Sequence, residues 1–395
     1  MKQMRKVGGV VIMHHNHNNY GTSLQGFATV KTIQNLGYPF RIIRYQKKRT
    51  IVELMETLPG LIKSGAVKEA KFRLCKKLFR NTHPVYARNI SERTESVNRF
   101  KKKYFDSISD YYTGYDELCK GAKEYDVIFV GSDQVWGPLS LYSRFYNLLF
   151  VDKTIPQFSY ASSFGVSNIF EWQKEGTKEF LDKLDVIGVR EVHGKTIVDS
   201  LSKNKAKVVV DPTMLLTKQD WEEVISNSNL EINEPYILSY MLGPRRDVRQ
   251  EIMNLGKRMG LKVVSFRHMD WYEPADEGFG DIPVYNADPL DFIKLLSRAK
   301  YVCTDSFHGT VFSILFHRKF ITFYRQLPTS SKSTHSRIDS LLDILGLSGR
   351  LFDECAYDQI VKDINYAKVD NKLRDLREDS LEFLKGALEI RKKAQ

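Results

Sequence analysis

Residues 301–317 read YVCTDSFHGTVFSILFH. The first three form a short apolar run. The next seven are polar or small apart from Phe307, and Val311, Phe312, Ile314 and Leu315 then follow at helical spacing. A short apolar run bounded by turn residues reads as a buried strand, and apolar residues three to four apart read as a helix face. The unit is therefore strand, polar turn, helix. The same unit repeats outward in both directions. Residues 320–324 form the next strand. Upstream lie a helix at 288–298, strands at 262–266 and 236–241, and a helix at 245–259 between those strands. Before residue 211 the alternation runs through strands at 207–210, 185–189, 157–162 and 126–130, with helices at 192–201 and 171–184. The first unit is a strand at 7–13, a helix carrying Leu24, Phe27, Ala28, Ile33 and Leu36 with Gly37 as its C-cap, and a strand at 40–45. Strands alternating with helices predict an α/β fold of parallel sheets covered on both faces. Two such series, 1–215 and 216–365, predict two doubly wound domains with a central cleft. Residues 366–395 read as a charged amphipathic helix that packs back. Ligands of such sheets sit beyond the carboxyl ends of the strands, where the polar clusters of this chain fall.

The 395 residues are 42% hydrophobic and 27% charged, a globular composition with room for two domains. Cys75, Cys119, Cys303 and Cys355 are far apart, so no disulfide framework is predicted and a reduced, cytoplasmic setting fits. The apolar run at 7–13 is too short to span a membrane and lacks a small-residue cleavage site, so neither a leader nor a crossing helix is predicted. The net charge is +12, and residues 41–103, with 18 Lys/Arg against 5 Asp/Glu, account for all of it. Residues 45–123 read as a basic helical insert in the first domain, with 81–123 as helices and loops. Inside it Ile62, Ala66, Ala70, Leu74 and Leu78 form the apolar stripe of a basic amphipathic helix at 61–80. Such a stripe suits peripheral contact with an anionic membrane. In the plainer reading its leucines pack on the domain and its lysines are solvated. Nucleic acid is not a predicted partner, because no binding module accompanies the charge.

Five clusters carry candidate chemistry. Asn19-Tyr20-Gly21-Thr22 is a glycine turn before a helix, which offers free N–H groups to an anion; the alternative is a plain turn capped by Thr22. Ser132 and Asp133 suit sugar hydroxyls and Trp136 a sugar face, or else Asp133 caps a helix and Trp136 is core. Arg190, at a strand's carboxyl end beside Glu191, suits a bidentate grip on carboxylate or phosphate, or a structural ion pair. Ser306, His308, Gly309 and Thr310 form the turn quoted first. There His308 is placed as a general acid or base, Gly309 permits close backbone approach, and a capping histidine is the alternative. Arg325 and Arg337 flank a polar loop that would close over an anion, against a merely solvated loop. His14, His15 and His17 have no carboxylate or cysteine nearby in sequence, so no metal site is predicted.

Taken together, NYGTSLQGFA, VIFVGSDQVW, SYASSFG, VREVHG, VVVDPTML, TDSFHGTVFSILF and SRIDSLLDILGL resemble the polysaccharide pyruvyl transferase family. The resemblance spans roughly 7–350; residues 45–123 and the C-terminal helix carry no matching motif. It implies two Rossmann-like domains similar to the GT-B glycosyltransferase fold. It further implies phosphoenolpyruvate as donor, a sugar diol (free or lipid-linked) as acceptor, a pyruvate ketal and phosphate as products, and no cofactor. The positions it matches to donor binding and catalysis are Arg190, His308 and Arg337, with Arg325 competing for the last role. Two rival readings stand beside it: a GT-B glycosyltransferase using a nucleotide sugar, and a non-catalytic carbohydrate-binding relative.

Overall fold

The computed structural model describes residues 5–11, 19–48, 71, 74–75, 78–137, 141, 144–166, 168–267, 272–325, 336–352 and 357–391. Two all-parallel sheets carry the fold. The first has seven strands: β1 (Val7–Val10), β2 (Phe40–Gln46), β3 (Ser109–Thr113), β4 (Val127–Val130), β5 (Gln157–Ser162), β6 (Val186–Val189) and β7 (Ala206–Val208), in the order β3-β2-β1-β4-β5-β6-β7. The second has six: β8 (Tyr236–Tyr240), β9 (Lys262–Phe266), β10 (Ile282–Val284), β11 (Tyr301–Thr304), β12 (Lys319–Phe323) and β13 (Leu351–Phe352), in the order β10-β9-β8-β11-β12-β13. In both sheets the order reverses direction beside the first strand of the series, which opens a crevice at the carboxyl ends there. The central strands β1, β4, β5 and β8 are buried along their whole length, as near-continuous apolar runs require in a sheet covered on both sides.

Strand β3 corrects the expectation of helices and loops over 81–123. It pairs parallel with β2, Ile42 opposite Ser109 through Gln46 opposite Thr113. Its Asp110 is held by Arg41 and accepts from the Tyr125 hydroxyl at 2.6 Å, so an edge strand forms inside a lysine-rich stretch. The expected strand at 7–13 ends at Val10, and residues 12–18 lie outside the described ones, as does most of the stripe at 61–80. Leu74 and Leu78 are 58% and 57% exposed, so for these two the expectation of packing on the domain does not hold.

Helix packing ties the two sheets together. Helix α1 (Tyr20–Asn35) follows β1 and is capped by Asn19, whose side chain accepts from Thr22 N at 3.3 Å. Helix α2 (Pro84–Phe105) reaches across from the insert: buried Arg93 donates to the backbone oxygens of Val284 and Tyr285, and its guanidinium lies 4.6 Å from the Tyr20 ring centroid. Helices α3 (Pro289–Arg298) and α4 (Phe307–Leu315) flank β11, and α5 (Ser336–Leu345) follows the loop after β12. The last helix, α6 (Tyr366–Leu388), returns to the first sheet. Its Ser380 accepts from Val210 N at 3.0 Å, Arg377 donates to Met214 O at 2.7 Å, and Asp379 pairs with Lys207. One apolar cluster runs from Leu24 and Phe129 to Phe292 and Phe312, so the core is continuous between the halves. Among the described residues no helix is long and apolar enough to cross a membrane.

Candidate functional site

The carboxyl ends of β4, β5 and β6, the segment after β7 and the start of α4 converge on Asp211. This carboxylate is wholly buried. Its Oδ1 accepts from Thr213 N at 3.0 Å and Thr213 Oγ1 at 2.7 Å, and its Oδ2 from Arg190 Nη1 at 3.0 Å and Ser132 Oγ at 3.1 Å. The same Oδ2 lies 3.8 Å from His308 Nε2. Two more carboxylates face Arg190: Asp133 Oδ1 at 3.7 Å from Nη2, and Glu191 Oε2 at 3.9 Å from Nε. Asp133 sits at φ +92, a strained conformation for a non-glycine residue, and is held there by bonds from Thr22 Oγ1 (3.1 Å) and Gln134 N (2.8 Å). Glu191 is held by Ser163 Oγ at 2.7 Å.

Both guanidiniums lie over the Phe307 ring. Arg190 lies 4.9 Å and Arg337 5.8 Å from its ring centroid. Their electrostatic situations are opposite. Burial alone would lower the affinity of Arg190 for its proton, but Asp211, Asp133 and Glu191 outweigh it and raise that affinity. Arg337 has no ion-pair partner among the described residues. Its burial, and then the nearby charge of Arg190, push its pKa down to about 10. His308 is buried too, and its pKa is lowered chiefly by desolvation; Asp211 and Asp133 oppose the shift, while Arg190 and Arg337 add to it. The Asp211 carboxyl is held below its ordinary pKa, because His308 when protonated, then Arg190 and Thr213, more than offset its burial. The resting site thus holds a neutral imidazole at neutral pH.

Several buried polar atoms here have no hydrogen-bond partner among the described residues: Arg190 Nε and Nη2, His308 Nε2, Arg325 Nε, Arg337 Nε and Glu191 Oε2. An unmade buried bond costs on the order of 1–3 kcal/mol. Unpaired donors gathered from both halves of the fold are what an anionic ligand with several acceptor oxygens would satisfy. A cavity of about 50 Å³ touches Arg190, Asp211, Phe307 and Arg337.

The expected residues divide into three groups. Arg190, His308, Arg337, Asp133 and Ser132 come together, and Gly21 joins them: a Cβ on Gly21 would lie 2.0 Å from His308 Nδ1, so the imidazole rests on bare backbone. Arg325 borders the group, donating to Asp305 O at 3.4 Å. Asn19, Ser306, Gly309 and Thr310 are scaffold. Asn19 caps α1; Ser306 caps α4 by accepting from Gly309 N; Thr310 Oγ1 lies 2.8 Å from Thr322 Oγ1; and Gly309 makes room for the Thr304 side chain, where close approach to a ligand is expected. Tyr20 and Trp136 correct the expectation of substrate contact. Tyr20 stacks on Phe292 at 4.9 Å and donates to Ala287 O; Trp136 packs among Phe164 and Phe180 and donates to Tyr146 O. Both rings are taken up by packing between buried elements. Thr22, expected in the plain-turn reading to cap α1, binds Asp133 instead. Asp211 is the residue that motif reading passes over. Its only sequence signal is a polar Asp-Pro step closing an apolar run at the end of a strand. Among the described residues no group of His, Cys, Asp and Glu is placed to hold a metal, and His14, His15 and His17 lie outside them.

The family model for polysaccharide pyruvyl transferases matches residues 19–326, from the Asn19 cap through α4 and β12. The chain belongs to the polysaccharide pyruvyl transferase family. No curated protein sequence matches it. Among solved structures it resembles UDP-GlcNAc 2-epimerase from Methanocaldococcus jannaschii, with 10% identity, a TM-score of 0.52 and 93% of this chain on 92% of that one. It also resembles UGT89C1 of Arabidopsis thaliana, with 8% identity, a TM-score of 0.51 and 98% of this chain on 100% of that one. At such identities the likeness is one of fold, and the fold is GT-B. For this pyruvyl transferase family member, the convergence on Asp211 lies at the carboxyl ends where the halves of that fold face each other.

Proposed function

We propose that the chain transfers the pyruvyl group of phosphoenolpyruvate to a sugar diol of a surface polysaccharide or of its lipid-linked repeat unit. The observation that carries this reading is the set of unpaired nitrogens on Arg190, Arg325, Arg337 and His308 around Phe307, in a chain of this family. A carboxylate and a phosphate three atoms apart would satisfy them together. Arg337, a half-buried cation without an ion-pair partner among the described residues, is the principal donor-binding group. Arg190 is fixed in place by Asp211, and its other two nitrogens face Asp133 at 3.7 Å and Glu191 at 3.9 Å, so its part is to position the site.

The chemistry balances on these groups. The methylene carbon gains a proton and becomes methyl, C2 takes on oxocarbenium character, and one sugar hydroxyl forms a C–O bond there. The C2–O bond to phosphate then breaks, and the second hydroxyl closes the ketal. Of the two hydroxyl protons lost, one balances the new methyl hydrogen and the other leaves with phosphate. His308 is the proton carrier. It is neutral in the resting site; a doubly anionic donor beside it raises its pKa, so that donor binding arms the acid. Asp211 is a positioning residue that orients both His308 and Arg190. The exposed Leu74 and Leu78 in the basic segment support peripheral contact with an anionic membrane, which presents lipid-linked acceptors.

Phosphate release from phosphoenolpyruvate, measured against galactose-, glucose- and mannose-type acceptors, tests the reading. Acceptor-dependent release is expected. Turnover only with a nucleotide sugar would replace it with the glycosyltransferase alternative.

A further inference from the structure

A second and larger hollow, about 470 Å³, opens beyond the carboxyl ends of β9 and β10. One wall comes from the start of α2, with Tyr86 and Asn89 in its first turns and His83 at its N-cap. The other comes from the second sheet: Arg267, Tyr272 and Glu273. Its aromatic wall is pre-assembled. Tyr86 meets Tyr272 edge-on at 5.6 Å, and Phe79, outside the lining, stacks on His83 at 3.7 Å and on Tyr272 at 4.2 Å and so holds the two rings in place. The polar wall holds a buried, incompletely paired group: Arg267, 7% exposed, donates from Nη1 to Asp276 O, while its Nε has no partner. The position is informative. In the order β10-β9-β8-β11, the hollow lies two to three strands from the end of β11, where His308 begins its turn. At a strand spacing of about 4.8 Å, that places it about 10–15 Å along the same rim of the sheet.

We infer that this hollow is an acceptor subsite that holds a neutral sugar unit next to the one being modified, so that the enzyme acts on a glycan chain and not on a monosaccharide. This rests on the reading above that the acceptor is a sugar. Aromatic walls with a few polar groups are the chemistry of a site for a ring that is apolar on its faces and hydroxylated at its edges. Charge selects among such ligands. Glu273, Asp276 and Glu277 line the hollow; Arg249 neutralises Asp276, and Glu277 accepts from the Tyr272 hydroxyl. With Asp276 paired, Glu273 and Glu277 still outweigh the single lining guanidinium of Arg267, a balance that opposes a nucleoside diphosphate and admits an uncharged polyol. Because the walls come from α2 and from the second sheet, a bound sugar would also bridge the halves that the donor site needs aligned.

The test uses the full chain and direct binding, so that it does not depend on turnover. Neutral disaccharide methyl glycosides of galactose, glucose and mannose are titrated by ligand-observed NMR, with UDP as a separate arm. At least one disaccharide is expected to bind. Tyr272→Ala should weaken it at least about tenfold, Tyr272→Phe should retain it, and the affinity for phosphoenolpyruvate should be unchanged in both. A melting curve checks that each variant is folded. Binding of no disaccharide, an affinity indifferent to Tyr272→Ala, or UDP binding that is lost with Tyr272 would each overturn the subsite. Failure of phosphoenolpyruvate to bind or release phosphate would instead overturn the donor reading and leave this result to be judged by its own titration.

Discussion

The two halves of the molecule bring opposite things to the place where they meet. The first sheet supplies three carboxylates, Asp133, Glu191 and Asp211, and a single cation, Arg190, which faces all three. The second half supplies His308, Arg325 and Arg337, each with a nitrogen left unpaired. Arg190 is therefore an ion held for placement, its charge reinforced by its neighbours. Arg337 is an ion held in want of a counter-charge, its pKa pushed down to about 10 by burial and by Arg190. Two arginines on one aromatic ring thus differ in their surroundings, and the proposed function gives them different ends, one structural and one for the ligand. Substitutions should separate them.

Arg190→Ala is expected to have the largest effect. Removing one partner of a buried ion pair costs about 3–5 kcal/mol because the remaining charge is stranded, and here three carboxylates are left. A clear fall in melting temperature should accompany loss of turnover; an unchanged melting temperature would mean that Arg190 is not fixed by its carboxylates. His308→Ala should lower kcat at least about 10²-fold with the fold intact, the scale of general acid–base assistance. Near-normal turnover in that variant would remove His308 from the mechanism. Gly21→Ala tests placement without touching chemistry. The new methyl overlaps the imidazole, and a misplacement of about 1 Å costs about 10²-fold; circular dichroism should be unchanged. Arg337→Ala should raise KM for phosphoenolpyruvate about 10- to 100-fold, the range for charge-assisted bonds, and leave the melting temperature level. A marked loss of stability there would erase the distinction between the two arginines.

Much of the architecture is legible in the residues because buried parallel strands have to be apolar runs closed by turns. Strands β5 and β9 fall where 157–162 and 262–266 place them. Arg190 and His308 are legible because a titratable residue just past a strand end has few reasons to be there other than a ligand or a counter-ion. Asp211 is not, because an aspartate before Pro212 reads as a cap, which it also is: its side chain accepts from Thr213 N. Tyr20 and Trp136 show the converse. An aromatic residue in a β-α turn has the same sequence signature whether it faces a sugar or a neighbouring ring, and only the tertiary arrangement puts Phe292 and Phe164 against them. The hollow beside Tyr272 has no linear signal, since its walls come from residues nearly two hundred positions apart.

If the unpaired cations receive an anionic donor and so raise the His308 pKa, donor binding must draw a proton from solvent. Calorimetric titration of phosphoenolpyruvate at neutral pH, in buffers of different ionisation enthalpy, measures the protons taken up on binding. Because burial holds the free imidazole below its ordinary pKa, it starts deprotonated; a pKa raised by the donor means uptake from solvent. Uptake approaching one proton is expected in the wild type and a much smaller value in His308→Ala. Binding with no proton uptake, or uptake equal in the two proteins, would contradict it.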